Sequence, residues 1–180
     1  MDWRGPLGPG CGMEEALAHQ LAAERPLTKA DCYAGVSRDI AAVLDGEPNR
    51  IARMATIASM LAGAFPVFFW TGFYLVDEAR RGELVVGPYQ GTPGCLRIPF
   101  GKGVCGAAAA SEHPQIVPDV HAFPGHIACD SRSNSEIVVP VFDPERRLIA
   151  VFDVDSAEFA AFDETDAEWL ERILAEAFAK

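Results

Sequence analysis

Three cysteines, Cys95, Cys105 and Cys129, fall on one stretch of the chain at spacings of ten and twenty-four residues, and three acids, Glu136, Asp153 and Asp155, follow close behind. A thiol can attack an electrophile, exchange with a disulfide or bind a soft metal. Clustered carboxyl groups can hold a cation or donate a proton. Cys129 lies within "HAFPGHIACDSRSNSE", residues 121–136, a loop too rich in Gly, Ser and Asp to give a thiol an apolar seat. A thiol there, seven residues before the first acid, suggests redox chemistry. Cys105 stands beside an Ala-rich run, where a core role is the simpler reading. Zinc is the competing use of these thiols, with His121 and His126 as extra ligands, but no C-x2-C pairs with an H-x3–5-H element. No metal centre is expected, and the two histidines read as loop hydrogen-bonding residues.

The acids gain meaning from strand geometry. In "FDVDS", Asp153 and Asp155 are two apart on a predicted strand and point to one face. A turn of four residues, Asp143 to Arg146, would pair Phe142 with Arg147 and Glu136 with Asp153, placing all three acids together. A three-residue turn would instead turn Glu136 away. Three acids so close cannot all ionise easily, so at least one should keep its proton near neutrality while others hold a cation such as an ammonium.

The rest of the chain must position these groups. With 180 residues, 49% of them hydrophobic and 23% charged, a single domain with a substantial core is expected. A net charge of −11 argues against nucleic acid as a partner. Five cysteines without a signal-peptide pattern predict a reducing cytoplasm. The uncharged run from Met54 to Val76 is long enough for a membrane span, but Gly63 and Pro66 interrupt it and its character changes from helical to β-branched and aromatic. No membrane association is expected.

Residues 1–25 read as a disordered or weakly ordered leader, with a short helix within 13–25 and Cys11 incidental. Residues 26–180 read as the domain. Thr28 and Asp31 have capping-box spacing, and Tyr33, Val36, Ile40 and Val43 continue a helical period to Gly46. Cys32 reads as packing. Pro48 is expected at the first position of a second helix ending near Gly63. Strands are predicted at Val67–Val76, Leu84–Tyr89 and Leu96–Pro99, then a short helix from "GKGVCGAAAASE", an extended piece at "PQIVPDV", and strands at Ile137–Phe142 and Leu148–Asp155. A last helix starts near Asp163 and Asp166, with Trp169, Leu170, Ile173, Leu174, Ala177 and Phe178 as its stripe. The two hairpins predict an α+β fold, a central, mostly antiparallel sheet flanked by helices.

"FFWTGFYL", "CLRIPFGKGVCG", "PQIVPDVHAFPGHIACDSRSNSEIVVPV" and "FDVDS" resemble the free methionine-(R)-sulfoxide reductases, enzymes built on a single GAF domain. The resemblance covers roughly residues 30–175. It implies that Cys129 of "GHIACD" attacks the sulfoxide sulfur and that Cys95 resolves the product, with Cys105 the second candidate. It also implies that the acidic cluster is Glu136, Asp153 and Asp155 and that Trp70 and Tyr74 form an aromatic wall. Glu136 or Asp155 would protonate the departing oxygen, and Asp153 would help hold the substrate ammonium. The polar loop would be a mobile lid carrying the thiol. The sulfenic acid left on Cys129 would condense to an intramolecular disulfide recycled by thioredoxin, with no cofactor. Members of that family are often homodimers. A sensor module on the same fold is the main alternative, because a GAF-type fold alone does not decide function.

Overall fold

A computed structural model describes residues 27–125 and 130–179. The leader, Cys11, the helix considered within 13–25, His126 and Cys129 lie outside the described residues.

The chain runs α1 (Lys29–Val43), α2 (Arg50–Ala64), β1 (Trp70–Val76), β2 (Glu83–Gln90), β3 (Arg97–Pro99), α3 (Gly103–Ser111), β4 (Gln115–Val117), a 3-10 turn (Val120–Ala122), β5 (Ser135–Phe142), β6 (Leu148–Ser156) and α4 (Glu164–Phe178). The strands form one sheet in the order β3-β2-β1-β6-β5-β4, with every pairing antiparallel. This is the α+β arrangement expected, with the "PQIVPDV" piece adding the edge strand β4.

Local signals explain the helix ends. Thr28 and Asp31 form a reciprocal capping box at α1, and Asp163 and Asp166 form another at α4. The second helix departs from expectation. Its N-cap is Asn49, whose side chain accepts from the Ala52 N–H, so Pro48 lies outside it. An asparagine oxygen satisfies an otherwise unpaired N–H, which a proline ring cannot do. The Met54–Val76 run divides as predicted into a helix and a strand, and among the described residues no helix is long and apolar enough to cross a membrane. β1 begins at Trp70 rather than Val67, because Phe68 N–H turns back to the Phe65 carbonyl at 3.0 Å and both rings join the core. Leu96 likewise stays outside β3 and is exposed.

The two sheet faces have different roles. Phe73, Phe152, Val154, Ile137 and Val139 face the layer of α1, α2 and α4 and pack against Ile57, Leu61 and Leu170. The intervening residues, Trp70, Tyr74, Val138 and Val151, face α3 and the long connection to β5, where Val104 and Ala108 meet them. A buried polar tie holds the helix layer: the Tyr33 hydroxyl donates to Asp166 Oδ1 at 2.8 Å, and Lys29 Nζ contacts Asp166 Oδ2 at 2.5 Å.

The β5–β6 hairpin corrects the expected register. Asp143 N–H bonds the Arg147 carbonyl at 3.0 Å across three residues, with Arg146 in the left-handed region at φ 62°. That turn alone would have rotated Glu136 away. A bulge then offsets it: Phe142 pairs with Leu148 but Val141 pairs with Ala150, leaving Ile149 extra. The two single-residue offsets cancel in parity. Glu136 therefore pairs with Asp155, and Val138 with Asp153, instead of Glu136 with Asp153. The three acids still share one face.

Candidate functional site

The sheet face opposite the helix layer carries a pocket roofed by α3 and by the connections after β2 and before β5. Trp70, Tyr74, Cys105, Glu136, Asp153 and Asp155 all line it, so six of the eight site residues read from the sequence meet in one place. Cys95 packs beside the same apolar cluster, half-buried, and is disulfide-bonded. Cys32 and Cys105 are free thiols, so the partner of Cys95 lies outside the described residues. Cys32 packs against the helix-side core, as expected.

β1 supplies the aromatic wall. Trp70 and Tyr74 stack with centroids 5.6 Å apart, and Trp70 stacks on Tyr89 of β2 at 5.2 Å. Two glycines permit this. A Cβ on Gly72 would sit 2.3 Å from the Tyr89 Cβ, and one on Gly94 would sit 2.8 Å from the Tyr74 hydroxyl. The Trp70 indole N–H donates to the Thr92 carbonyl at 2.9 Å, which fixes the ring and the loop leading to Cys95 together.

The acids form the floor. Glu136 and Asp153 are 6% and 5% exposed, and Asp155 is half-buried toward the opening. Burial, then the neighbouring Asp153 and Asp155, push the Glu136 carboxyl well above the ordinary range. Burial and Asp155 do the same to Asp153. Burial raises Asp155 to about 6 despite the bond from Ser133, and Asp130 adds to the rise. Desolvation and like-charge crowding both disfavour the ionised forms, so this floor holds protons near neutral pH. Asp153 Oδ1 is buried with no hydrogen-bond partner among the described residues. No lysine or arginine pairs with any of the three acids among those residues. The floor can therefore accept a cation and can donate a proton.

Cys105, on α3, is also buried, with Sγ 3.9 Å from Glu136 Oε1. Burial, then Asp153 and Glu136, raise its thiol pKa well above the ordinary value, so it is a poor nucleophile at rest. His121 sits in the 3-10 turn with Nε2 3.1 Å from Asn134 Oδ1. It serves loop structure rather than the pocket, as its position suggested.

Sequence reasoning missed the group at the pocket mouth. Asp130 accepts from the Thr92 hydroxyl at 2.7 Å and from Arg132 Nη2 at 2.8 Å, and the Arg132 guanidinium lies 4.9 Å over the Phe69 ring. These bonds, that from Arg132 first, hold the Asp130 carboxyl well below the usual range. The only signal was an acid and an arginine two residues apart in a loop, which is too common to read. Ser133 and Lys102, which also line the pocket, gave no signal at all.

The sequence profile of the GAF domain matches residues 53–177. The chain is 47% identical over 147 residues to GAF domain-containing protein A of Dictyostelium discoideum, covering 82% of this chain and 90% of that one. It is 41% identical over 150 residues to a free methionine-R-sulfoxide reductase of Escherichia coli (strain K12), covering 83% and 88%. Among solved structures, the free methionine-R-sulfoxide reductase of Neisseria meningitidis in complex with its substrate superposes with a TM-score of 0.80 at 47% identity, covering 85% of this chain and 90% of that one.

Proposed function

The chain belongs to the GAF-domain family that includes the free methionine-R-sulfoxide reductases, and on that premise we propose that it reduces the free amino acid methionine-(R)-sulfoxide to methionine. The observation that carries this reading is the buried acid floor, unpaired by any described cation, beneath stacked aromatic rings. A free amino acid brings an ammonium for Asp153, whereas a peptide bond would remove that charge. The Trp70 and Tyr74 faces suit an S-methyl group.

In this reading the Cys129 thiolate attacks the sulfoxide sulfur while Glu136 or Asp155 protonates the oxygen. Net, thiol and sulfoxide become sulfenic acid and thioether. The sulfenic acid then condenses with a second thiol to give a disulfide and water. The disulfide at Cys95, against a free and buried Cys105, supports Cys95 as the resolving thiol. Thioredoxin supplies the two electrons that restore both thiols. The reading extends to an enzyme of the reducing cytoplasm that works as a homodimer, an arrangement frequent in the family.

The test is thioredoxin-coupled NADPH consumption with the free (R)-sulfoxide, the (S)-epimer and the N-acetylated (R)-sulfoxide, using wild type and Cys129→Ser. Turnover confined to the free (R)-epimer and lost in Cys129→Ser is expected. Absence of turnover from folded, fully reduced protein would overturn the reading in favour of a sensor module.

A further inference from the structure

Cys105 Sγ and one carboxylate oxygen each from Glu136 and Asp153 lie within 4.8 Å of one another, and all three residues are buried. A tetrahedral zinc site has Zn–S near about 2.3 Å and Zn–O near about 2.0–2.2 Å, which places sulfur and oxygen ligands roughly 3.6 Å apart. The Cys105 Sγ to Glu136 Oε1 separation is 3.9 Å, a few tenths of an ångström from ligand spacing, and the pairs with Asp153, which lie within 4.8 Å, reach it by side-chain rotation and an approach of at most about 1.2 Å. An acidic cluster alone would not mark a metal site, but two further features are present. Asp153 Oδ1 is buried without a partner, and a thiol completes the set. Lys102 lines the same pocket yet pairs with none of these acids among the described residues.

We propose that Cys105, Glu136 and Asp153 bind a thiophilic divalent cation, zinc by its chemistry, in the place reserved for the substrate ammonium, so that the metal inhibits the enzyme by competing with substrate. Thiolate with two carboxylates selects zinc over magnesium or calcium, which prefer oxygen ligands alone. Three protein ligands leave a fourth tetrahedral position for water, a composition that permits exchange. This is not the ligand set suggested by sequence spacing, since His121 faces Asn134 and Cys95 is already in a disulfide. Binding releases protons from the thiol and from the raised carboxyl groups, so affinity increases with pH. Only the competition with substrate rests on the proposed function. The metal site stands on its geometry.

The experiment titrates cobalt(II), a spectroscopic stand-in for zinc, into Cys11→Ser/Cys32→Ser/Cys95→Ser/Cys129→Ser protein, in which Cys105 is the sole thiol. Expected are one equivalent bound, a thiolate-to-cobalt charge-transfer band, and displacement by zinc. Replacing Cys105 with serine in that background should abolish the band, and Asp153→Asn should weaken binding at least about tenfold, the least that follows even when only a hydrogen-bond partner of a metal ligand is removed. Methionine should displace the metal, whereas N-acetylmethionine, which lacks the ammonium, should not. Zinc should raise the apparent KM of the wild type for the (R)-sulfoxide. No band, or a band that survives loss of Cys105, overturns the site. Equal displacement by both amino-acid probes overturns the shared position. Cobalt binding by this variant together with no sulfoxide turnover by the metal-free wild type would remove the proposed function and leave the metal site intact.

Discussion

Replacing Asp155 with asparagine is expected to make the protein more stable at neutral pH while removing most of its activity. Burial carries the carboxyl from 3.8 to about 6 on folding, a rise of about 2 units that corresponds to about 3 kcal/mol. The sign follows from proton counting. Between about pH 4 and 6 the unfolded chain has released this proton and the folded chain still holds it, so stability falls as pH rises. Below about pH 4 both states are protonated and the penalty vanishes; above about pH 6 both are ionised and it is complete. Asparagine cannot ionise, so the variant should exceed wild type by about 1–3 kcal/mol at pH 7.5, the lower figure allowing for a weaker bond to Ser133. At pH 4 the two should coincide. Acids held low on folding, such as Asp163 and Asp143, are common to both proteins and cancel in the difference. Urea unfolding of the two reduced proteins from pH 4 to 8 measures it. Activity should fall at least about 100-fold if Asp155 delivers the proton. A variant no more stable than wild type at pH 7.5, or a difference that does not change with pH, would refute the electrostatic account of the pocket.

Four further outcomes are expected. Gly72→Ala should destabilise by about 3 kcal/mol, the upper end for overpacking, because its Cβ meets Tyr89 at 2.3 Å. Gly63→Ala in α2 meets nothing within 4 Å and should stabilise by about 0.5–1 kcal/mol; urea midpoints of the pair give the comparison. Tyr33→Phe should lose about 2 kcal/mol in chemical denaturation, since the buried bond to Asp166 disappears while the carboxylate keeps Lys29. The pH profile of kcat/KM should decline above about pH 6 if Asp155 is the acid, and at higher pH if Glu136 is, because only the latter is fully enclosed. A profile with no decline toward high pH between 5 and 8.5 would exclude Asp155 as the acid.

The sequence revealed features that one residue or one period decides. Thr28 with Asp31, and Asp163 with Asp166, marked two helix starts because capping is local chemistry. Alternation in "FDVDS" placed two acids on one face for the same reason. What stayed hidden depended on distant partners. The start of β1 was misplaced because Phe65 and Phe68 are apolar in either reading, and only the helix layer decides which way they turn. The pairing of Glu136 required both the Arg146 turn and the Ile149 bulge, two irregularities that the apolar pattern does not encode. The stacking of Trp70 on Tyr89, and the Asp130–Thr92 bond, join segments that no sequence spacing connects.

That hairpin imposes a kind of reading frame on the protein's history. Every residue of β6 faces either the apolar layer or the acid floor, and the two cancelling offsets near residues 146 and 149 set the phase. Loss or gain of one residue there would turn Asp153 and Asp155 toward Phe73 and expose Phe152 and Val154 to the pocket, destroying both core and site at once. Changes of two residues would preserve the phase. Tolerated length variation between β5 and β6 should therefore come in even steps, or in single steps matched by gain or loss of a bulge, however freely the residues themselves are exchanged.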